Sequence, residues 1–212
     1  MEGSRYTSLG EMDRSSFFYT RVAFFIEVLE RRDATPDLKP LRPWKSDLTD
    51  EINNLPIADL FSPIVIKDAE YAEVMKAGVL LWNDELDLAH TVCQNIETQT
   101  GSYWHGIMHR REGDYDNAKH WFRKVGEHPV FPKLRKRALR VGEETIESSP
   151  HQQQYSDAIE TAEKWDPFQF VDWCADAETK SMGPAIEYFL KKTQLVEIRL
   201  LLEFSYQKAI GG

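Results

Sequence analysis

The sequence predicts an all-α protein. Apolar residues recur at three- and four-residue intervals through most of the chain, acidic or hydroxyl residues stand where those runs begin, and glycines or prolines stand where they end. No alternating apolar–polar run extends beyond residues 63–66, so no β element is expected.

The elements follow in order. After Ser15 or Ser16 as N-cap, Phe18, Val22, Phe25 and Leu29 share one helix face, and Arg31-Arg32 supply a cationic last turn. Pro36, Pro40 and Pro43 punctuate the next segment, which reads as an extended linker. The chain thus divides into residues 1–47, an N-terminal helix with a Pro-rich linker, and residues 48–212, the main helical domain. Residues 50–60 suit a short helix broken before Pro63. Asp68 caps a helix running to Trp82, and Asn83-Asp84 is a turn and cap opening a helix over 85–96. Residues 98–101 break the pattern, Ser102 starts a helix ending at Gly113, and Asp114 caps the next, to Lys124. After a break at 126–129, helices are expected at 132–147, 153–164, 168–179 and 184–208, the third opened by Asp166-Pro167. The last is unusually apolar (Leu190, Leu195, Ile198, Leu201, Leu202, Phe204). It is expected to dock into the core, with a homodimer interface as the rival.

Composition bounds the function. At 212 residues, 42% hydrophobic and 29% charged, the chain suits one sizeable soluble core. A net charge of −9 argues against nucleic acid, whose phosphates call for a basic face. Residues 1–13 lack the apolar core of a secretory signal, and the apolar stretch 17–29 is interrupted by Arg21 and Glu27, which argues against a membrane partner. Cys93 and Cys174 sit in apolar helical patterns and read as reduced core thiols, so a cytoplasmic setting is expected.

The chain repeats itself. Ala77, Leu80, Ala89 and Cys93 superimpose on Gly106, His109, Ala118 and Phe122 at a constant offset of 29 residues. In each copy a small residue lies midway along a first helix, an acidic turn follows, and an alanine opens the packing face of a second helix. Small residues there let antiparallel helices approach closely. Gly106-x2-His109, Ala118-x3-Phe122 and the turn Gly113-Asp114-Tyr115 resemble the tetratricopeptide-repeat family over residues 68–126. The offset is about five residues shorter than that family's period, His109 replaces its tyrosine, and His105 replaces an aliphatic residue. The resemblance implies antiparallel helical hairpins stacked as a short tetratricopeptide-like array with flanking capping helices, serving as a binding scaffold. The stretches WHGIMHRREGDYDNAKHWFRK and WDPFQFVDW also resemble bacterial and fungal proteins, a similarity that implies no activity.

The histidines carry the chemical signal. At 100° per residue, His105, His109 and Glu112 span an arc of about 60° on one helix face. Two imidazoles and a carboxylate on one side suit a divalent metal with an open position, proton transfer, or a hydrogen-bonded structural cluster. The candidate metal set is His105, His109 and Glu112; the wider ligand-binding set adds Arg110, Arg111 and His120 on the following helix. The metalloprotease motif, with glutamate directly after the first histidine, is absent, as are a Gly-rich phosphate loop, CxxC and a G-x-S-x-G elbow. The run Lys133, Arg135, Lys136, Arg137 and Arg140 reads as a solvated helix face, and Trp165, Phe168, Phe170 and Trp173 read mainly as core.

The leading expectation is a helical protein that binds a peptide, partner protein or small ligand in a groove and needs no cofactor. The rival is an enzyme, with or without a bound metal, that works through the His105, His109 and Glu112 face.

Overall fold

The computed structural model describes residues 20–145, 150–180 and 182–212. Among the described residues are eleven helices and no strand: α1 Arg21–Glu30, α2 Ser46–Asn54, α3 Ile57–Phe61, α4 Ala69–Trp82, α5 Leu86–Cys93, α6 Gln99–Glu112, α7 Tyr115–Val125, α8 Phe131–Thr145, α9 Pro150–Thr161, α10 Pro167–Thr179 and α11 Pro184–Ile210. The protein is all-α.

Caps set most boundaries. The Asp68 carboxylate accepts from the backbone N–H of Glu70 and Tyr71 at the start of α4, Asp114 accepts from Asn117 at α7, and Asp166 accepts from Phe168 and Gln169 at α10. Gly113 ends α6 at φ +88°, a left-handed conformation that leaves room for the tight turn into α7.

Several boundaries differ from the sequence reading. Ser15, Ser16 and Phe18 lie outside the described residues, and α1 is capped instead by Thr20, whose Oγ1 accepts from Ala23 at 3.2 Å. The helix expected over 50–60 is two helices, because Pro56 has no N–H to continue the first. Residues 98–101 are no break. Thr98 accepts from Gly101, and α6 begins at Gln99. Gly101 is required there, since a Cβ would lie 2.3 Å from the Ile96 carbonyl oxygen. The cap of α5 is Glu85 rather than Asn83-Asp84.

α6 sits at the centre. It packs against α4, α5 and α7, and its side chains reach α11. Every residue from Thr100 to Arg111 is buried, although half of them are polar or charged. Close approach makes this arrangement tight. A Cβ at Gly78 of α4 would lie 2.6 Å from the Trp104 ring and 2.7 Å from Leu202, and one at Gly106 would lie 3.1 Å from the Phe122 ring of α7. α11 packs on α4 and α8, burying Leu190, Ile198, Leu201 and Leu202, with Leu195 and Phe204 half-buried. Among the described residues no helix is long and apolar enough to cross a membrane.

The Pro-rich segment wraps this body. Pro36 is buried, the Asp37 carbonyl accepts from Arg111 and Gln194, and the Trp44 N–H donates to the Asn83 carbonyl at 2.8 Å. One hydrophobic cluster runs from Val22 of α1 to Ala209 of α11. Cys93 and Cys174 are free and buried within it. In the basic stretch of α8, Lys133 pairs with Glu203 of α11, and Arg135 donates to the Ile159 and Glu160 carbonyls at the end of α9.

Candidate functional site

Three imidazoles meet where α5, α6 and α7 pack together. His105 and His109, one turn apart on α6, stack with ring centroids 4.9 Å apart and planes at 16°. His90 of α5 meets both edge-on, at 4.8 Å from His105 and 5.3 Å from His109. Trp121 of α7 covers His105 in a near-parallel stack at 3.8 Å, and the Lys124 ammonium lies 3.9 Å from the Trp121 ring centre. One ring nitrogen from each histidine can be chosen so that the three lie within 4.8 Å of one another.

The hydrogen bonds assign one tautomer. His109 Nδ1 lies 3.0 Å from Glu112 Oε2; a carboxylate only accepts, so Nδ1 carries the proton. His109 Nε2 then accepts from the Asn117 side-chain amide at 3.0 Å. His105 is 3% exposed, and its Nδ1 has no hydrogen-bond partner among the described residues. Burial pushes the His105 pKa down to about 3, with His109, His90 and Lys124 adding to the effect. Burial also lowers His109, against the opposing pull of Glu112. Both rings are neutral near pH 7, which keeps a nitrogen lone pair on each.

The structure redistributes the residues singled out in the sequence. His105 and His109 do come together, but their third neighbour is His90, and Glu112 stands behind His109 as its hydrogen-bond partner. His90 carries no motif. Only the packing of α5 on α6, through the neighbouring buried Ala89, brings it to the cluster. His120 is exposed and meets Trp121 edge-on, with centroids 5.8 Å apart.

Arg110 and Arg111 leave the histidine face altogether. Arg110, 1% exposed, pairs with Glu197 of α11, lies 4.6 Å from the Phe170 ring centre, and shares Glu197 with the Tyr103 hydroxyl at 3.0 Å. Arg111, fully buried, binds Asp84, the Leu81 carbonyl and the Asp37 carbonyl. Asp84 gives its other oxygen to Arg32 at 2.7 Å. These buried pairs hold α1, α4, α6 and α11 together.

Two of the clefts among the described residues lie elsewhere. The larger, about 630 Å³, lies between the ends of α7 and α9 and the starts of α8 and α10. Phe122, Phe131, Trp165, Pro167 and Phe168 form apolar walls, and Arg123, Glu127, Lys164 and Asp166 add charges of both signs. Lys164 and Glu127 pair there, both side chains well exposed. Trp165 is 4% exposed, and its indole N–H has no acceptor among the described residues. The smaller, about 400 Å³, is lined by Arg32, Pro36, Trp82, Tyr188, Lys192 and Arg199, among others. Neither is lined by a residue of the histidine cluster.

No family model, no curated protein and no solved structure matches this chain.

Proposed function

We propose that the protein is a non-enzymatic helical scaffold that binds a peptide segment of a partner protein in the larger cleft. The observation that carries this reading is the cleft itself. Its volume of about 630 Å³ falls in the range that accepts a compact ligand or a few side chains. Aromatic walls suit an apolar anchor side chain, and the paired charges suit a polar flank of either sign. The α4–α5 and α6–α7 hairpins, with the 29-residue offset, support a tetratricopeptide-like array as the scaffold. The buried free thiols of Cys93 and Cys174 fit a reducing, cytoplasmic setting.

Selection of peptides from a displayed random library tests this. Bound peptides are expected to share an apolar anchor and to lose at least about tenfold in affinity to F168R, which places a charge in the apolar wall, a change of about 1.4 kcal/mol. Failure to enrich any sequence, or enriched peptides indifferent to F168R, would sink the proposal. A second reading, an enzyme using the histidine face, draws on the three clustered imidazoles. The clefts of about 630 and 400 Å³ are lined by other residues.

A further inference from the structure

We propose that His90, His105 and His109 form a binding site for one zinc-class divalent cation. The proposal is independent of the cleft: it concerns other residues and is tested without any peptide.

Geometry comes first. The imidazoles come from two packed helices, with two of them one turn apart on α6, where backbone geometry places both on one side. Their nitrogens lie within 4.8 Å of one another. A tetrahedral centre with bonds of about 2.1 Å requires nitrogens roughly 3.4 Å apart. Rotation of the half-buried His90 side chain toward the α6 pair is the movement that would close that gap.

The chemistry agrees. The buried Nδ1 of His105 has no partner among the described residues, and a metal would satisfy a ring nitrogen of this histidine. Glu112 accepts the Nδ1 proton of His109 and so directs Nε2 toward the metal, the carboxylate–histidine–metal relay seen around zinc. The Asn117 amide now donating to that Nε2 is the group a bound metal displaces. Three imidazoles with no carboxylate among the ligands select zinc, cobalt, nickel or copper over calcium or magnesium. Three protein ligands also leave the fourth position to water.

Titration of tag-free protein with Co²⁺ alone, followed by Zn²⁺ competition, tests the site. One equivalent of Co²⁺ is expected to give the visible bands of a tetrahedral centre, and Zn²⁺ should abolish them. H90Q, H105Q and H109Q should each weaken binding at least about tenfold, and E112Q by about 10- to 100-fold. H120Q should change nothing, and N117A, which removes the competing donor, should bind as tightly as wild type or tighter. Circular dichroism of each variant separates lost metal from lost fold. The wild-type titration stands on its own if a variant misfolds. Absence of a saturable one-equivalent signal in the wild type would overturn the site, as would full-strength binding by folded H90Q.

Discussion

Asp84 adopts a left-handed backbone conformation, φ +64°, which aspartate accepts more readily than most residues because its short side chain is accommodated there. That conformation turns its carboxylate to both Arg111 and Arg32, the first fully buried and the second nearly so. Asp84→Asn keeps the backbone preference and the size but removes the charge opposite two buried guanidinium groups. Breaking a buried pair from one side costs ~3–5 kcal/mol, so D84N should lower the urea midpoint by that equivalent. A midpoint within about 0.5 kcal/mol of wild type would mean that water or the neighbouring carbonyls already neutralise Arg111. Glu112 and Asp84 play different roles. Glu112 is partly exposed and orients one histidine, whereas Asp84 is buried and holds elements together.

Helix pairing depends on small residues placed at contact points. Ala118 of α7 is fully buried against α6, and on the same interface Gly106 leaves just enough room for the Phe122 ring. Ala118→Leu is expected to overpack this contact at ~1–3 kcal/mol, read as a drop in denaturation midpoint with the helical signal retained. An unchanged midpoint would show that the α6–α7 contact has slack. α6 itself inverts the ordinary pattern. A helix whose buried faces carry His105, His109, Arg110 and Arg111 is normally a surface helix. Here each arginine finds a carboxylate on another element, and the histidines find one another, Trp121 and Glu112. The penalty of burying these groups is offset only because those partners arrive together.

At the scale of the whole molecule, buried neutral histidines make stability depend on pH. His128 Nδ1 accepts the Val130 N–H, so its proton sits on Nε2, which reaches Thr100 Oγ1 at 3.2 Å. Burial lowers its pKa from the ordinary 6.5 to about 4. Between those values the unfolded chain holds the extra proton and the native one does not, so stability is full above about pH 6.5 and is lost as pH falls toward 4. His105 acts with the same sign. His128→Asn, which keeps an acceptor near Val130, should flatten the decline by up to ~3 kcal/mol, measured as urea midpoints from pH 7 to pH 4. Parallel curves for variant and wild type would remove His128 from the account. The sequence by itself determined the helical class, the caps at Asp68 and Asp114, the helix start at Asp166-Pro167, the helix end at Gly113 and the small residues Gly106 and Ala118. These rest on side-chain-to-backbone bonds two or three residues long, or on a period visible along one helix. Only the tertiary structure decided that α6 is central, that His90 rather than Glu112 is the third member of the cluster, and that both arginines are buried. Those outcomes depend on partners such as Glu197, 87 residues beyond Arg110, and Asp84, 27 residues before Arg111. The cost of burying a charge is set by what stands opposite it in space, which local spacing along the chain does not encode.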